Sequence, residues 1–104
     1  MLFEKNWEKQ RQEREGDYWF DGKMYITCGI ANNLTPQEIA QICHDLKEFV
    51  YNMNGADYLQ VFKKDGRKVF CIDQLSKPML EGDDYTPEQK EEYHYWTMLF
   101  AEEY

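Results

Sequence analysis

The sequence predicts an α+β protein, with a small antiparallel sheet of four to five strands and one main amphipathic helix over residues 36–53 packed on one face. Two observations predict this class. Residues 57–73 hold two strand-like runs around Asp65-Gly66, a dipeptide that suits a two-residue hairpin turn because both central positions need positive φ. Residues 34–55 carry the start, stripe and stop signals of a single helix. The chain has 104 residues, enough for a single domain over 1–104 with one modest core.

Residues 1–16 predict a further helix, because good helix formers dominate the segment and its charges alternate in sign. Its apolar anchors are Leu2, Phe3 and Trp7, with Phe3 and Trp7 on one helical face. We therefore expect a peripheral helical arm at the N-terminus, which either docks by its first two turns or frays when isolated.

Asp21-Gly22 predicts a second hairpin, since aromatic and β-branched residues flank it. In that hairpin Tyr18 would oppose Tyr25. The strand after the turn alternates, so its apolar face would meet the helix that follows. That face comprises Met24, Ile26, Cys28 and Ile30. Gly29 fits a bulge or a close approach of two backbones.

The helix over residues 36–53 is the most strongly signalled element. Residues 35–38 place Thr at the N-cap, Pro at N1 and Glu at N3, which is a capping box. Leu34 and Ile39 occupy the two positions of a hydrophobic staple, and residues 54–55 (Asn-Gly) supply the stop signal. The apolar stripe has helical spacing and comprises Ile39, Ile42, Cys43, Leu46, Phe49, Val50 and Met53.

In the hairpin over residues 57–73 the numbers of paired residues sum to 131, so that Phe62 faces Val69 and Leu59 faces Ile72. One face is then wholly apolar and carries Leu59, Val61, Phe70 and Ile72. The other face is mixed and carries Tyr58, Gln60, Phe62, Val69 and Cys71. A one-residue slip would scatter the apolar quartet between the faces, so the pattern specifies the register. We expect the quartet to be the core face, packed against the main helix.

The last third of the chain gives weaker signals. Residues 75–84 predict an irregular connector with a short strand near Met79-Leu80, and residues 86–89 repeat the N-cap pattern, which predicts a short helix over about 87–92. Residues 93–100 are ambiguous. As a strand, they would place on one face His94, Trp96, Met98 and Phe100. As a helix, they would collect Trp96, Leu99 and Phe100. Aromatic and threonine content favours the strand.

The net charge of −8 is concentrated near the C-terminus, because residues 81–104 hold eight acids against one base. Direct nucleic-acid binding is disfavoured, since no basic stripe exists to contact phosphates, whereas a basic partner protein is allowed. No apolar run is long enough to span a bilayer, and the N-terminus lacks the apolar core of a signal peptide. The three separated cysteines are typical of reduced thiols. We therefore expect a cytoplasmic protein.

Candidate catalytic and metal-binding residues are few. Cys43, His44 and Asp45 have the composition of a triad, but neighbouring helical residues point about 100° apart and cannot converge. An acidic group has the oxygen ligands that suit calcium or magnesium, yet its spacing fits no EF-hand loop. That group comprises Glu81, Asp83, Asp84 and Glu88. We expect no catalytic residue, no cofactor and no metal site, and hence a protein that is not an enzyme.

An aromatic sheet face is the strongest candidate for an interface. It lies opposite the main helix and comprises Tyr18, Tyr25, Tyr58, Phe62 and Tyr95. The N-terminal helix, the C-terminal segment or a second copy of the chain, giving a homodimer, would cover it, because an uncovered face of this kind marks protein contacts. The predicted partner-binding residues combine this face with the acidic segment and are Tyr58, Phe62, Asp83, Asp84, Glu88, Glu91 and Glu92.

Three blocks carry a resemblance to a known family: KMYITCGI at residues 23–30, DYLQVF at 57–62 and TMLFAEEY at 97–104. In this order they resemble a small bacterial family called domain of unknown function 960 (DUF960), found mainly in Gram-positive bacteria. The resemblance spans about residues 23–104, and residues 75–95 depart from the family pattern. It implies the same order of elements and a bacterial cytosolic setting. The family has no established activity, so the resemblance implies no functional residues.

Together these observations predict a small non-enzymatic protein of unknown function that works by protein–protein contact, as a homodimer or an accessory subunit. One alternative is an acidic inhibitor from a mobile element, which mimics nucleic acid by placing carboxylates in a basic groove. A second alternative is a small carboxylate- or metal-dependent enzyme that uses the acids near Asp83.

Overall fold

The computed structural model describes residues 6–11, 13 and 15–104. Within this part of the chain, five strands form one mixed sheet in the order β1-β3-β4-β5-β2. The strands are β1 (Glu8–Lys9), β2 (Lys23–Ile26), β3 (Leu59–Lys64), β4 (Arg67–Asp73) and β5 (Tyr95–Phe100). The helices are α1 (Cys28–Asn33), α2 (Pro36–Met53), α3 (Lys77–Glu81) and α4 (Pro87–Tyr93), and a 3-10 turn follows β5 at Ala101–Glu103. The predicted α+β class is confirmed.

Helix α2 has the predicted bounds and the predicted caps. The N–H of Glu38 donates to Thr35 Oγ1 at 3.1 Å, and the N–H of Thr35 donates to Glu38 Oε1 at 3.0 Å. These reciprocal bonds satisfy two donors that the first helical turn leaves without partners. At the other end Asn54 adopts a left-handed conformation with φ 56°, which closes the helix. The residues that α2 buries most deeply are Ile42, Leu46 and Val50.

Strands β3 and β4 form the predicted hairpin in the predicted register. Leu59 pairs with Ile72, and Phe62 pairs with Val69. The turn residues Asp65 and Gly66 have φ values of 50° and 81°. Two successive positive φ values match the twist of a two-residue hairpin, which explains why the dipeptide fixed the register locally.

The prediction of which hairpin face is buried is wrong. The covered face, which we define as the sheet face packed on α1 and α2, comprises Phe62, Val69, Cys71, Trp96, Met98 and Phe100. The predicted core quartet lies on the opposite side, where only Val61 is buried. The physical reason lies in β5, which pairs with β4 so that Phe100 stands beside Val69 and Met98 beside Cys71. The bulk of the β5 side chains therefore decides which side of the hairpin receives the helices.

The second predicted hairpin does not form. Strand β2 pairs instead with β5, in parallel. A Cβ atom at Gly22 would collide with the carbonyl of His94, so this glycine permits a close approach of two segments rather than a turn. Met24 and Ile26 are therefore exposed at the sheet edge and do not meet the main helix as predicted.

The predicted strand also ends early, because α1 begins at Cys28. The hydroxyl of Thr27 caps this helix by accepting the N–H of Ile30 at 3.2 Å. Of the predicted apolar face, Cys28 is exposed and Ile30 is fully buried in the core. A Cβ at Gly29 would collide with the carboxylate of Glu103, so the predicted close approach at this glycine is made by a side chain.

The predicted N-terminal helix is wrong over residues 6–11, because β1 pairs there with β3. Trp7 anchors this strand: its N–H donates to Gln41 Oε1 and its indole Nε1–H donates to Glu38 Oε2, both at 2.9 Å. Tertiary pairing thus overrides helix propensity. The other two predicted anchors, Leu2 and Phe3, lie outside the described residues.

The C-terminal third follows the prediction in two elements and departs from it in one. Residues 95–100 form strand β5 with the predicted alternation, and α4 begins with a capping box between Thr86 and Gln89. The predicted irregular connector contains α3, which is capped by the Ser76 hydroxyl and places Met79 in a helix rather than a strand.

Candidate functional site

The side of the sheet that faces away from α1 and α2 is a candidate surface for binding. By strand register, this open face comprises Leu59, Val61, Phe70, Ile72, Tyr95, Thr97, Leu99 and Tyr25. All of them except the buried Val61 keep part of their surface exposed, and Tyr25 is 51% exposed. Neither α3 nor α4 contains a buried residue. The open face is therefore apolar, nearly continuous and only partly shielded from water.

Two aromatic pairs lie on the open face. Tyr25 and Tyr95 meet edge to face with ring centroids 5.0 Å apart, and Phe70 meets Tyr104 in the same way at 5.7 Å. A depression of about 500 Å³ lies beside the second pair, because Tyr104 forms part of its lining. It is lined by Tyr18, Tyr58, Ile72, Asp73, Gln74, Thr97, Leu99 and Tyr104. Rings that are apolar on their faces and polar at their hydroxyls suit a surface that contacts both protein and water.

A buried carboxylate borders this depression. Asp73 is 3% exposed and accepts the N–H of Phe20 and the N–H of Gln74, each at 2.9 Å. Burial raises the pKa of the Asp73 carboxyl to about 6. Burial, followed by the charges of Asp73 and Asp57, also raises the pKa of Tyr18. Both oxygens of Asp73 are used by backbone donors, so this group joins the segment before β2 to the end of β4.

A second group of ionisable residues lies at the start of α2. The backbone N–H of Thr35, then the indole of Trp7 and the ammonium of Lys64 at 3.0 Å, lower the pKa of Glu38 to about 2. Burial lowers the pKa of Lys9 to about 8, and its Nζ lies 3.6 Å from the centre of the Phe49 ring. These shifts follow from capping, burial and strand docking. The contacts of Glu38 and Lys9 therefore attach the segment around β1 to α2.

The predicted partner-binding residues fall in different parts of the molecule. Tyr58 is 40% exposed, and its ring meets that of Tyr18 edge to face at 6.2 Å. Phe62 is fully buried on the covered face, so its prediction as an exposed aromatic is wrong. The reason is the pleat of the strand, which turns Phe62 to the same side as its partner Val69.

The predicted acidic residues are all exposed and belong to α4 and the loop before it. Glu88, Glu91 and Glu92 have helical i, i+3, i+4 spacing, so α4 brings these three carboxylates to one face. Asp83 and Asp84 lie in the loop between α3 and α4. The structure thus gathers three of the five predicted acidic residues on one face of a short helix.

The residues considered for catalysis make few contacts with one another. His44 is exposed, with Nδ1 3.3 Å from Asp45 Oδ1 and 3.8 Å from Glu48 Oε2. Cys43 instead packs against the core from the same helix. His94 Nε2 lies 2.9 Å from Asp21 Oδ1. Among the residues that the structure describes, no three histidine, cysteine or acidic side chains are placed to hold a metal ion.

Sequence reasoning missed Ile72, Thr97 and Leu99 as surface residues. The signal that identifies them is the alternation within β5, where the bulkier side chains Trp96, Met98 and Phe100 mark the buried side. Thr97 and Leu99 alternate with these three residues. Once β5 is paired with β4, they therefore share a face with Phe70 and Ile72.

No protein-family model, no curated protein and no solved structure matches this chain. The resemblance of residues 23–104 to DUF960 therefore stays a prediction. In the described residues, no helix is both long enough and apolar enough to cross a membrane. The cytoplasmic location stays a prediction as well.

Proposed function

We propose that the protein is a small binding protein, not an enzyme, and that it acts by docking another protein on the open face of its sheet. The observation that carries this proposal is the partial exposure of a set of neighbouring large apolar side chains on three adjacent strands. At the centre of the set, Phe70 pairs with Leu99 across the ladder of β4 and β5. Contiguous apolar patches on soluble proteins mark contact surfaces.

The division of the sheet into two faces supports the same proposal. The covered face uses its aromatic residues to build the core with α1 and α2, whereas of the open face only Val61 is buried among the described residues. A partner that covered Phe70, Ile72 and Leu99 would remove from water the apolar area that these residues still expose, which favours association. The hydroxyl groups of Tyr25 and Tyr95, which belong to the open face, would supply hydrogen bonds to the partner.

A pair of charge substitutions tests the proposal. Thr97→Glu places a carboxylate in the middle of the open face at a position that is already polar, whereas Tyr51→Glu places one on α2 at a residue that is 78% exposed. We expect affinity capture from a bacterial lysate to recover a protein with the wild type and with Tyr51→Glu but not with Thr97→Glu. Identical recovery with all three baits, or recovery of nothing with any of them, would count against the open face.

The acidic face of α4 favours a second candidate function, which is mimicry of nucleic acid. Glu88, Glu91 and Glu92 project from one helix face and fit a basic groove. Reversal of these three charges to lysine would then abolish binding to a basic nuclease or DNA-binding protein, and binding by the wild type would weaken steeply as salt rises. Binding that is independent of salt would exclude this candidate.

A further inference from the structure

Strand β2 forms one edge of the sheet and is exposed along its whole length. Each of its four residues is exposed, and three of them are large and apolar: Met24 at 40%, Tyr25 at 51% and Ile26 at 38%. The opposite edge is different, because β1 is only two residues long and both are charged. Short, charged edge strands resist pairing with other chains, whereas an apolar edge invites it.

The backbone of β2 presents hydrogen-bonding groups to the outside. The N–H of Lys23 donates to the carbonyl of His94 at 3.1 Å, and the N–H of Thr27 donates to the carbonyl of Met98 at 3.2 Å. Residues two apart in a strand direct their backbone groups to the same side, and adjacent residues direct theirs to opposite sides. Lys23 and Thr27 point towards β5, so Met24 and Ile26 direct their backbone groups away from it. No further strand lies beside β2 among the described residues.

We propose that a second copy of this chain adds to that edge, with β2 of each copy antiparallel to β2 of the other across a two-fold axis at Tyr25. In this register the outward groups of Met24 meet those of Ile26 in the second copy, and the reverse pair forms by symmetry. The two sheets then become one continuous sheet. The proposal depends on the edge alone and would stand even if the open face bound nothing.

The side chains around this axis are complementary to themselves. Tyr25 faces Tyr25 of the second copy as a pair without hydrogen bonds between the backbones, a position at which aromatic side chains interact well. Lys23 comes to lie beside Thr27 of the second copy. There the Glu103 carboxylate is held in place, since it accepts the hydroxyl of Thr27 at 2.9 Å and the N–H of Phe100 at 2.7 Å. Each copy thus sets an ammonium against a carboxylate of the other. This complementarity favours a second copy over an unrelated extended peptide.

The mass of the purified protein across a concentration series is the first test. Because the interface is small, association is expected to be concentration-dependent. We expect sedimentation to show twice the chain mass of 12.6 kDa at high concentration and a shift to one chain on dilution. A single-chain mass at every concentration up to about 1 mM, where even a weak dimer of about −4 kcal/mol would be half formed, would overturn the proposal.

The position of the axis is tested by two opposite charges. Tyr25→Lys and Tyr25→Glu would each be monomeric, because like charges face each other across the axis, and an equimolar mixture would recover the dimer. Tyr51→Lys, at an exposed position of α2, is the matched control and would keep the wild-type mass. If the mixture stays monomeric while both variants keep the wild-type circular dichroism spectrum, Tyr25 does not lie on the axis and the register is wrong.

Two further measurements separate pairing at the edge from contact through the open face. Edge pairing predicts that the amides of Met24 and Ile26 exchange with solvent more slowly as concentration rises, while face contact leaves them unchanged. In a background that removes the exposed thiol, Cys28→Ser, the variant Tyr25→Cys would form an intermolecular disulfide on mild oxidation, since paired Cα atoms at such sites lie about 4.5 Å apart. Concentration-independent exchange together with no disulfide would contradict the proposal, whereas loss of capture by Thr97→Glu bears only on the open face.

Discussion

The two faces of the sheet are built from the same strands, and alternate residues of each strand belong to different faces. On the covered face Phe62 and Val69 are fully buried under α1 and α2, whereas Phe70, the residue after Val69, lies on the open face and keeps part of its surface in water. Both faces are apolar, so hydrophobicity does not distinguish them. What distinguishes them is that, within the described residues, α1 and α2 pack on the covered face alone, and we infer that the open face is available to a partner.

The largest effect is expected when the two phenylalanines of the hairpin are compared. Phe62→Ala leaves a cavity in the packed core and should lower the free energy of unfolding by about 3–5 kcal/mol. Phe70→Ala removes a partly exposed ring and should cost roughly 1–2 kcal/mol, because less apolar area is lost from the buried surface. Urea unfolding of both variants measures the difference. Equal losses would show that the two faces are packed alike.

A pH-dependent effect is expected from Asp73, where the segment before β2 meets the end of β4. Its folded pKa of about 6 lies above the ordinary value of 3.8, so the folded chain binds this proton more tightly than the unfolded chain. The contribution of Asp73 to stability is therefore greatest at low pH and falls as pH rises between about 4 and 6. Asp73→Asn should lack this slope.

The measurement is the difference in unfolding free energy between wild type and Asp73→Asn at several pH values, in which the other titrating groups cancel. We expect the unfolding free energy of the wild type to fall relative to that of the variant as pH rises through this window. A wild type that gains relative stability over the same window would mean that folding lowers the pKa of Asp73, and a constant difference would mean that folding leaves it unshifted.

A smaller effect is expected at the N-cap of α2, the helix that covers one face. Thr35→Ala removes the oxygen that accepts the N–H of Glu38 and should cost about 1 kcal/mol. Thr35→Ser keeps that oxygen and should be close to wild type. Thermal or urea unfolding of the pair measures the cap, and equal losses from both substitutions would mean that the hydroxyl contributes nothing.

The smallest effect on stability is expected from Thr97→Glu, on the open face. A polar substitution at a partly exposed position should change the free energy of unfolding by no more than about 0.5 kcal/mol. A melting temperature several degrees below that of the wild type would indicate that Thr97 is packed more tightly than an open face allows.

The features that could be predicted from the sequence are those that short-range chemistry decides. The capping box at Thr35 and the apolar spacing of the following residues gave the bounds of α2. Asp65 and Gly66 gave the register of the hairpin, because their positive φ values are a local property of the turn. The alternation of β5 was also visible in its residue types.

The features that could not be predicted depend on contacts between distant segments. Asp21-Gly22 has the composition of a turn, but the glycine is needed for the approach of the His94 carbonyl, which no local pattern reveals. Trp7 is an anchor as expected, yet it anchors a strand and not a helix, because the residues after it pair with the edge strand β3. The choice of the covered face depended in the same way on β5, which is about 25 residues away from β4 in sequence. The short helix over residues 87–92 was predicted, whereas the open face and the β2 edge depend on how the strands are ordered in the complete sheet.

The separation of the two faces is tested most directly by nuclear magnetic resonance in the presence of a dissolved gadolinium chelate, which speeds the relaxation of protons near solvent. We predict strong relaxation enhancement for the methyl protons of Ile72 and Leu99, on the open face. We predict little for those of Val69 and Met98, which lie on the covered face of the same two strands. Equal protection of all four, or stronger enhancement at Val69 and Met98, would contradict the account.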